Sequence, residues 1–251
     1  MLGIFSKKIA LKDELEGFVD IHNHLLPGID DGSQNIEESL ALIQGFKDLG
    51  ITRFIATPHV MNDYYPNTPE TIGEALEKLR NAVREKGWDD IRFKAAAEYM
   101  MDQSFLEVLQ NNQILPLISN LVLVEMSFFQ PPINLHEIIF ALQSKKYQPV
   151  LAHPERYAFF HSRKMEKYVE LKTRGCYFQL NVLSLTGHYG KHIQEAAFAL
   201  LDLDLIDYLG TDTHQQRHLE KLHDIKLPQK RIDQLRPIIA RTAATFGEAF
   251  Q

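Results

Sequence analysis

Two histidines one residue apart, His22 and His24, are the first residues in the chain whose types and spacing could do chemistry. They follow the mostly apolar run 18–21, which predicts a short buried strand that ends at His22. Side chains alternate along a strand, so both imidazoles would project from one face. Two imidazoles on one face can bind a metal ion. Taken alone, the pair could equally be packed or solvent-facing, so the rest of the chain must decide.

More side chains of the metal-binding kind stand at the ends of other predicted strands. Besides His22 and His24, the strand ends carry His59, Glu98, Glu125, His153, Asp212 and His214, and the first loop carries Asp31. A single ion needs three or four protein ligands, so this set predicts two or three ions. Paired ions ~3.5–4 Å apart stabilise the attacking and leaving oxygens of phosphoryl displacement. The set contains no thiolate, which suits manganese, iron or zinc without choosing between them.

Two arginines follow these candidates at the same distance. Arg156 lies three residues after His153, and Arg217 lies three residues after His214. A guanidinium group beside a metal cluster can hold a phosphate through paired hydrogen bonds, so both arginines are candidate catalytic residues. The alternative for each is an ordinary surface arginine. Asp31 is a third candidate, which could act as a ligand, as an acid or as both.

Aromatic residues follow two of the strand ends. Tyr64 and Tyr65 lie in the loop after His59, and Phe128 and Phe129 follow Glu125. These rings could wall a slot for a phenyl group, or they could pack the loops onto the body of the protein. Six other histidines stand away from the strand ends and are predicted to be surface or helix residues. They are His136, His161, His188, His192, His218 and His223.

Short apolar runs alternate with helical patterns seven times, which is typical of a parallel sheet covered by helices. The predicted strands are 18–22, 51–57, 91–97, 121–124, 149–152, 176–181 and 206–209. Asn35 is predicted to cap a helix that runs to Leu49, and Thr68 to cap a helix from Pro69 to about Lys86. In an α/β barrel the carboxyl ends of the strands share one mouth, where the candidate ligands would meet.

The whole chain, residues 1–251, is predicted to form a single domain, because no linker or change in composition divides it. Residues 1–17 are predicted to be a leader with a short helix over 8–16. A final helix is predicted over 230–250. The N-terminus lacks the long apolar region of a signal peptide.

Composition excludes several classes of protein. The net charge of −6 argues against a nucleic-acid-binding surface, which is normally basic. No apolar run approaches the ~18 residues of a membrane span. The single cysteine, Cys176, precludes an internal disulfide and fits a reducing compartment. We therefore expect a cytoplasmic protein without a membrane span and without a nucleic-acid partner.

Read in order over residues 18–218, the motifs resemble a known family, the polymerase-and-histidinol-phosphatase (PHP) superfamily. The closest resemblance is to its branch of bacterial capsular-polysaccharide tyrosine phosphatases. The motifs are His22-x-His24, Asp30-Asp31-Gly32, Thr57-Pro58-His59, Ala97-Glu98, Val124-Glu125-Met126-Ser127, residues 151–157 (Leu-Ala-His-Pro-Glu-Arg-Tyr) and Thr211-Asp212-Thr213-His214.

The resemblance implies a distorted seven-stranded TIM-like β/α barrel of the PHP type that holds three metal ions, commonly manganese. The implied ligand groups are His22, His24, Glu98 and Asp212 for one ion, Glu98, Glu125 and His153 for a second, and Asp31, His59 and His214 for the third. Arg156 matches the phosphate-binding arginine of the family. Arg217 is a looser match, because the second arginine of the family lies at a different distance past the final histidine.

The resemblance further implies a manganese-dependent protein tyrosine phosphatase, in which a metal-held hydroxide attacks phosphorus. Its expected substrate is a phosphotyrosine protein, a bacterial tyrosine kinase or its tyrosine-rich tail, in capsular polysaccharide synthesis. A cysteine nucleophile is excluded, because the Cys-x5-Arg loop starting at Cys176 would need arginine where Val182 stands. Two alternatives remain: a small-molecule phosphatase such as histidinol-phosphate phosphatase on the same barrel, and a binding module with a purely structural metal cluster.

Overall fold

The computed structural model describes residues 8–162 and 164–250, and in it strands and helices alternate along most of the chain. The strands are β1 (Lys8–Ala10), β2 (Val19–Asp20), β3 (Arg53–Ala56), β4 (His59–Val60), β5 (Arg92–Ala95), β6 (Glu98–Met100), β7 (Leu121–Glu125), β8 (Gln148–Ala152), β9 (Tyr177–Asn181), β10 (Tyr208–Gly210) and β11 (Lys226–Pro228). The helices are α1 (Ile36–Asp48), α2 (Pro69–Glu85), α3 (Phe105–Gln110), α4 (Leu135–Ser144), α5 (Glu166–Thr173), α6 (Lys191–Asp202), α7 (Gln216–His223) and α8 (Gln229–Gly247).

Two parallel sheets form the centre of the fold. One has the strand order β10-β9-β8-β7-β6-β4, and the other has the order β2-β3-β5. Every neighbouring pair in both sheets is parallel. Strands β1 and β11 form a separate antiparallel pair. The predicted class, a mixed α/β fold with parallel strands, is confirmed.

The second and third predicted strands are each followed, after a break of two residues, by a further short strand that belongs to the other sheet. Strand β3 ends at Ala56 and β4 begins at His59, while β5 ends at Ala95 and β6 begins at Glu98. The prediction of one continuous strand over 91–97 was therefore wrong at its end. Strand β5 stops at Ala95, and Glu98 is the first residue of the next strand. Pro58 lies at the break, and proline has no amide hydrogen to donate to a ladder.

Backbone hydrogen bonds join the first strand end to the last. The amide of His24 donates to the carbonyl of Thr213 at 3.0 Å, and the amide of Asp212 donates to the carbonyl of His22 at 2.7 Å. Asn23 and Thr213 form an isolated parallel bridge. These bonds lie where a barrel would close. The strand assignment itself does not define a closed barrel, so the count of seven barrel strands stays a prediction.

The two predicted helix caps, at Asn35 and Thr68, are correct. The side chain of Asn35 accepts from the amide of Glu38 at 2.9 Å, which satisfies one of the free amides at the start of α1. At α2 the Thr68 hydroxyl accepts from the amide of Thr71, and the Thr71 hydroxyl accepts from the amide of Thr68. Because these caps are local, the sequence was sufficient to predict them.

The predictions for the two ends of the chain need correction. The predicted helix over 8–16 is wrong: residues 8–10 form β1, and Leu11–Glu14 form a 3-10 turn. Strand β1 pairs with β11, more than 200 residues later, and no local pattern reveals such a partner. The final helix α8 ends at Gly247 and a 3-10 turn follows over Glu248–Phe250. Helix α7 and strand β11 were not predicted.

Alternating strand residues fill two apolar clusters, so the parallel strands are buried on both faces. The larger cluster lies under the helices and includes Phe54, Val124, Leu151, Phe178 and Leu209. The smaller cluster lies between the strands and includes Val19, Ile21, Ile55, Leu123, Val150 and Phe246 of α8. Within the described residues, no helix has the length and apolar character needed to cross a membrane.

Candidate metal centre

The structure brings all nine predicted ligand side chains together in one cluster, most of them at or near strand ends. Their ligand atoms form four groups in which every atom lies within 4.8 Å of the others. The groups are His24, Asp31, His59 and His214; His22, His24 and Asp212; His22, Glu98 and His153; and His59, Glu98 and Glu125. Several residues belong to two groups, so the cluster is continuous.

Glu98 lies at the centre of this cluster and is fully buried. Its Oε2 is 3.1 Å from His22 Nε2, 3.1 Å from His59 Nδ1 and 3.6 Å from His24 Nε2. Its other oxygen, Oε1, is 3.1 Å from His153 Nε2. A carboxylate with imidazoles at both oxygens is suited to bridge two metal ions.

The cluster runs from the interior of the protein to its surface. His59 and His214 are slightly exposed, and the side chain of Asp31 is 53% exposed. Asp31 Oδ1 is 3.5 Å from His59 Nε2 and 3.4 Å from His214 Nε2. This end of the cluster is therefore the one that a substrate can reach.

The observed groups differ in several respects from the three that the resemblance implied: there are four, Glu98 is not grouped with His24 and Asp212, and His24 also joins Asp31, His59 and His214. The resemblance placed His153 with Glu125, whereas His153 lies with His22 and Glu98. Glu125 lies instead with His59, at 2.8 Å from His59 Nδ1. The roles of these residues as ligands stay a proposal, which is taken up below.

Unpaired buried atoms indicate that the cluster fits metal ions. Among the described residues, His22 Nε2, His24 Nε2, His59 Nδ1, His153 Nδ1, Glu98 Oε2 and Glu125 Oε1 are buried without a hydrogen bond. Buried polar atoms normally have partners, because leaving one unpaired costs about 1–3 kcal/mol. Most of these atoms converge on one another. Nitrogen and oxygen donors that converge in this way fit divalent ions such as manganese, iron or zinc.

Two polar side chains orient the first pair of histidines. Asp30 Oδ2 is 2.7 Å from His24 Nδ1, and Gln179 Oε1 is 2.7 Å from His22 Nδ1. Each contact directs the Nε2 atom of its histidine into the cluster, as partners of metal-binding imidazoles do. Sequence analysis quoted Asp30 within a turn motif but gave it no role. For Gln179, the available signal was its place near the end of the sixth predicted strand.

The backbone is tightly constrained around these residues. A Cβ atom at Gly210 would lie 2.6 Å from the Cβ of His22 and 2.8 Å from Gln179 Nε2, so a glycine is required there. His153 and Asp212 adopt left-handed backbone conformations, with φ values of 35° and 52°. Such conformations cost of order 1–3 kcal/mol each and concentrate at functional sites.

The imidazoles and carboxylates shift one another's pKa values. Burial opposes the charged form of His22, but Glu98 and Asp212 outweigh it and raise the pKa of His22 to about 9. Burial likewise opposes a charge on His24, but Asp30 outweighs it and raises that pKa to about 9. The histidines in turn hold the pKa of Glu98 well below its usual range, despite burial. Without metal, these shifts favour the charged forms of His22, His24 and Glu98.

The two predicted arginines lie in different environments. Arg156 Nη1 donates to Asp212 Oδ2 at 2.8 Å, and the Arg156 side chain is 20% exposed. Arg217 is exposed on α7 and forms no ion pair or side-chain hydrogen bond with the residues that the structure describes. Only Arg156 is thus connected to the cluster.

The four predicted rim aromatics do not behave alike. Tyr65 stacks on His59 with ring centroids 5.7 Å apart, and Phe128 lies against Arg156. Tyr64 is 73% exposed and Phe129 is 93% exposed. Two of the four rings therefore contact residues of the site, and two extend into solvent.

One histidine in the predicted surface or helix group is buried. His218 lies on α7, and its Nδ1 accepts from the amide of His214 at 3.2 Å. Burial lowers the pKa of His218 to about 4, so the ring is neutral and can accept this bond. Its supporting role was missed because α7 itself was not predicted.

The fold and the site together define an α/β protein with a candidate multinuclear metal centre at the ends of its parallel strands. A family model described as capsular polysaccharide synthesis, CpsB/CapC, matches residues 18–228. The chain belongs to this family. The resemblance stated from the motifs is thereby confirmed.

Individual relatives agree with the family match. The chain is 30% identical over 203 residues to tyrosine-protein phosphatase YwqE of Bacillus subtilis, covering 78% of this chain and 77% of YwqE. It is 27% identical over 217 residues to tyrosine-protein phosphatase CpsB of Streptococcus pneumoniae, covering 82% of this chain and 88% of CpsB.

A solved structure supports the fold. It comes from work on YwqE of B. subtilis and CpsB of S. pneumoniae, described as metal-dependent tyrosine phosphatases. The match has a TM-score of 0.76 at 24% identity, and it covers 92% of this chain and 91% of the other.

Metal content tests the cluster directly. Protein purified without chelator should contain two to three transition-metal ions per chain, because nine ligand side chains converge and a single ion uses three or four. His153→Ala should remove about one ion, whereas His136→Ala, at an exposed position on α4, should remove none. Elemental analysis provides the measurement. Fewer than one ion per chain after manganese is added back would contradict the metal assignment.

The raised histidine pKa values predict how stability depends on pH. In chelated protein, the stabilisation from His22 and His24 is fully present below pH ~6.5 and is lost as pH rises through about 9. Ligand histidines must be neutral, so stabilisation by metal increases over the same range. The difference in Tm between loaded and chelated protein should therefore widen from pH 6.5 to 9. A constant difference across this range would show that these histidines do not exchange protons for metal.

Proposed function

We propose that the chain is a metal-dependent protein tyrosine phosphatase. The observation that carries this proposal is the buried cluster around Glu98, in which ligand atoms converge without hydrogen bonds and to which Arg156 is joined through Asp212. Membership of the CpsB/CapC family supports it, because the relatives YwqE and CpsB are named tyrosine-protein phosphatases.

We propose two to three divalent ions for the cluster, with manganese as the metal. Imidazole and carboxylate donors without thiolate support this choice, as does the spread of the ligands over four overlapping groups. His22, His24, Asp31, His59, Glu98, Glu125, His153, Asp212 and His214 would hold the ions. The strands that deliver these residues would form a distorted seven-stranded barrel, with the cluster at its mouth.

Bound ions of this kind act as Lewis acids on a phosphoryl group and lower the pKa of a water molecule. The residues of the chain supply binding and orientation. Arg156 offers a planar fork of N–H donors, which matches two oxygens of a phosphoryl group. A phenolate leaving group has a pKa of ~10, so it needs less help from a proton donor than an alkoxide does.

Asp31 is better suited to be a ligand than an acid. Burial raises its pKa, but the neighbouring His214 and His59 outweigh burial and lower the pKa to about 2. Asp31 is therefore ionised at neutral pH and has no proton to donate. Arg217 is the weaker of the two arginine candidates, because it is exposed and lacks a described contact with the cluster.

For the physiological substrate we propose a phosphotyrosine protein of the capsule pathway, either a bacterial tyrosine kinase or its tyrosine-rich tail. Support comes from the description of the family, which concerns capsular polysaccharide synthesis. The exposed end of the cluster at Asp31 could admit a residue that is part of a protein chain.

Substrate preference tests the proposed activity. Chelated protein with manganese added back should hydrolyse a phosphotyrosine peptide at least about tenfold faster, by kcat/KM, than the matching phosphoserine peptide. The better leaving group and the rim ring of Tyr65 both favour the aromatic ester.

Histidinol phosphate belongs in the same assay, because it represents the alternative class of small-molecule phosphatases. Equal turnover of the two peptides would remove the tyrosine assignment. A clear preference for histidinol phosphate would indicate a small-molecule phosphatase instead.

Replacing Arg156 tests its role in binding phosphate. Arg156→Lys keeps the charge but loses the planar fork, so kcat/KM should fall more than about tenfold, or ~1.4 kcal/mol of transition-state binding. Metal content should not change. Arg84→Lys, at an exposed position on α2, is the matched control and should turn over like the parent. Normal kinetics in Arg156→Lys would make Arg156 a structural residue.

A further inference from the structure

The guanidinium of Arg156 contacts two aromatic rings. Its Cζ atom is 4.3 Å from the ring centroid of Phe128 and 4.2 Å from that of Tyr189. Phe128 belongs to the loop after β7, and Tyr189 to the segment between β9 and α6. Two separate connections thus each contribute one ring to the same cation, and we call Phe128 and Tyr189 the aromatic clamp.

A chain of hydrogen bonds also connects Tyr189 to this guanidinium, through Asn181 and Asp212. Arg156 Nη1 donates to Asp212 Oδ2 at 2.8 Å, and Asn181 Nδ2 donates to the same oxygen at 2.8 Å. Asn181 Nδ2 also donates to the Tyr189 hydroxyl at 3.1 Å. Arg156 is therefore held by a hydrogen bond to Asp212 and by contacts with both rings of the clamp.

We propose that Phe128 and Tyr189 are positioning residues that hold Arg156 ready for the phosphoryl group. This inference rests on the proposed function, since it takes Arg156 as a phosphate-binding residue. A contact between the cation and the face of a ring is not a hydrogen bond to an oxygen, so it leaves the N–H groups available to oxygen acceptors. Of these donors, only Nη1 bonds to a side chain among the residues described. The others remain for phosphoryl oxygens.

A held arginine binds an anion more tightly than a mobile one. A free arginine side chain must lose rotamer freedom when it binds, and the clamp removes that freedom in advance. The clamp also keeps the cation beside the metal ligand Asp212, so the phosphate-binding group and the metal cluster have a fixed separation.

The alternative is that the rings only pack the loops. Phe128 also lies 5.5 Å from the ring of His153 and 5.9 Å from the ring of Tyr157, so it could serve the cluster or the core instead. A decisive test must therefore show whether each ring acts through Arg156.

Binding of inorganic phosphate to the manganese-loaded chain provides this test, measured by calorimetry together with metal content. Phe128→Leu and Tyr189→Leu should each weaken phosphate binding about fivefold or more, with unchanged metal content. Tyr189→Phe keeps the ring and should stay within about twofold of the parent. Phe140→Leu, at an exposed position on α4, is the matched control and should bind like the parent.

The same substitutions in an Arg156→Met background separate the two explanations. If the rings act through Arg156, the substitutions of Phe128 and Tyr189 should change the phosphate Kd by less than about twofold in the Arg156→Met background. Equal losses in both backgrounds would overturn the inference, as would parent-like binding by the single Leu variants. Loss of metal in Phe128→Leu would show that Phe128 supports His153 rather than Arg156, and this result would also overturn the inference.

A second measurement decides the question if the Arg156→Met background binds phosphate too weakly. The Nε–H order parameter of Arg156 should be near 0.85 in the parent and fall toward about 0.6 in Tyr189→Leu. An unchanged value would overturn the clamp.

Phosphate binding does not depend on which ester the protein hydrolyses. A clamp that passes these tests in a protein inactive on phosphotyrosine would refute the proposed substrate alone. Clamp variants that bind phosphate like an active parent would refute the clamp alone.

Discussion

Burial of negative charge is the constraint on which the rest of this structure depends. Glu98 is fully buried, and Glu125 and Asp212 are almost so. An unpaired buried charge costs on the order of several kcal/mol, so these carboxylates need compensating positive charge in fixed positions. Imidazoles provide it when protonated, and divalent ions can provide it when the imidazoles are neutral. The convergence of strand ends, the left-handed residues and the orienting contacts of Asp30 and Gln179 all serve this requirement.

Different parts of the strands meet this requirement and form the core. Their apolar residues fill clusters on both faces, and most of the candidate ligands lie at or near strand ends. Asp20 ties the first strand to the last: its carboxylate accepts from the Thr211 amide at 3.0 Å and from the Thr211 hydroxyl at 2.7 Å. Asp20 is fully buried, and this burial raises its pKa to about 6. The ligands on either side, His22 and Asp212, thus share one rigid support.

Sequence reasoning was strongest where the signal is local. A strand end followed by a polar residue is visible in the sequence, and so are the caps at Asn35 and Thr68, because each depends on neighbours a few residues away. The pairing of β1 with β11 was invisible, because it depends on residues more than 200 positions apart. Two further features were missed for the same reason: the passage of the chain from one sheet to the other just before Glu98, and the role of Gln179. Both depend on which strand ends become neighbours, and composition does not determine that.

Asp212 determines how the candidate metal cluster and Arg156 are related in space. Its Oδ1 faces the imidazoles, 3.5 Å from His22 Nε2 and 3.4 Å from His24 Nε2, while its Oδ2 accepts from Arg156. The two oxygens of a carboxylate have a fixed separation, so any movement of the arginine relative to the cluster must rotate or displace this one group. Rotation is opposed by Asn181, and displacement is opposed by the backbone bond from the Asp212 amide to His22. One carboxylate therefore fixes the distance between the candidate metal cluster and Arg156, the residue proposed to bind the phosphoryl group.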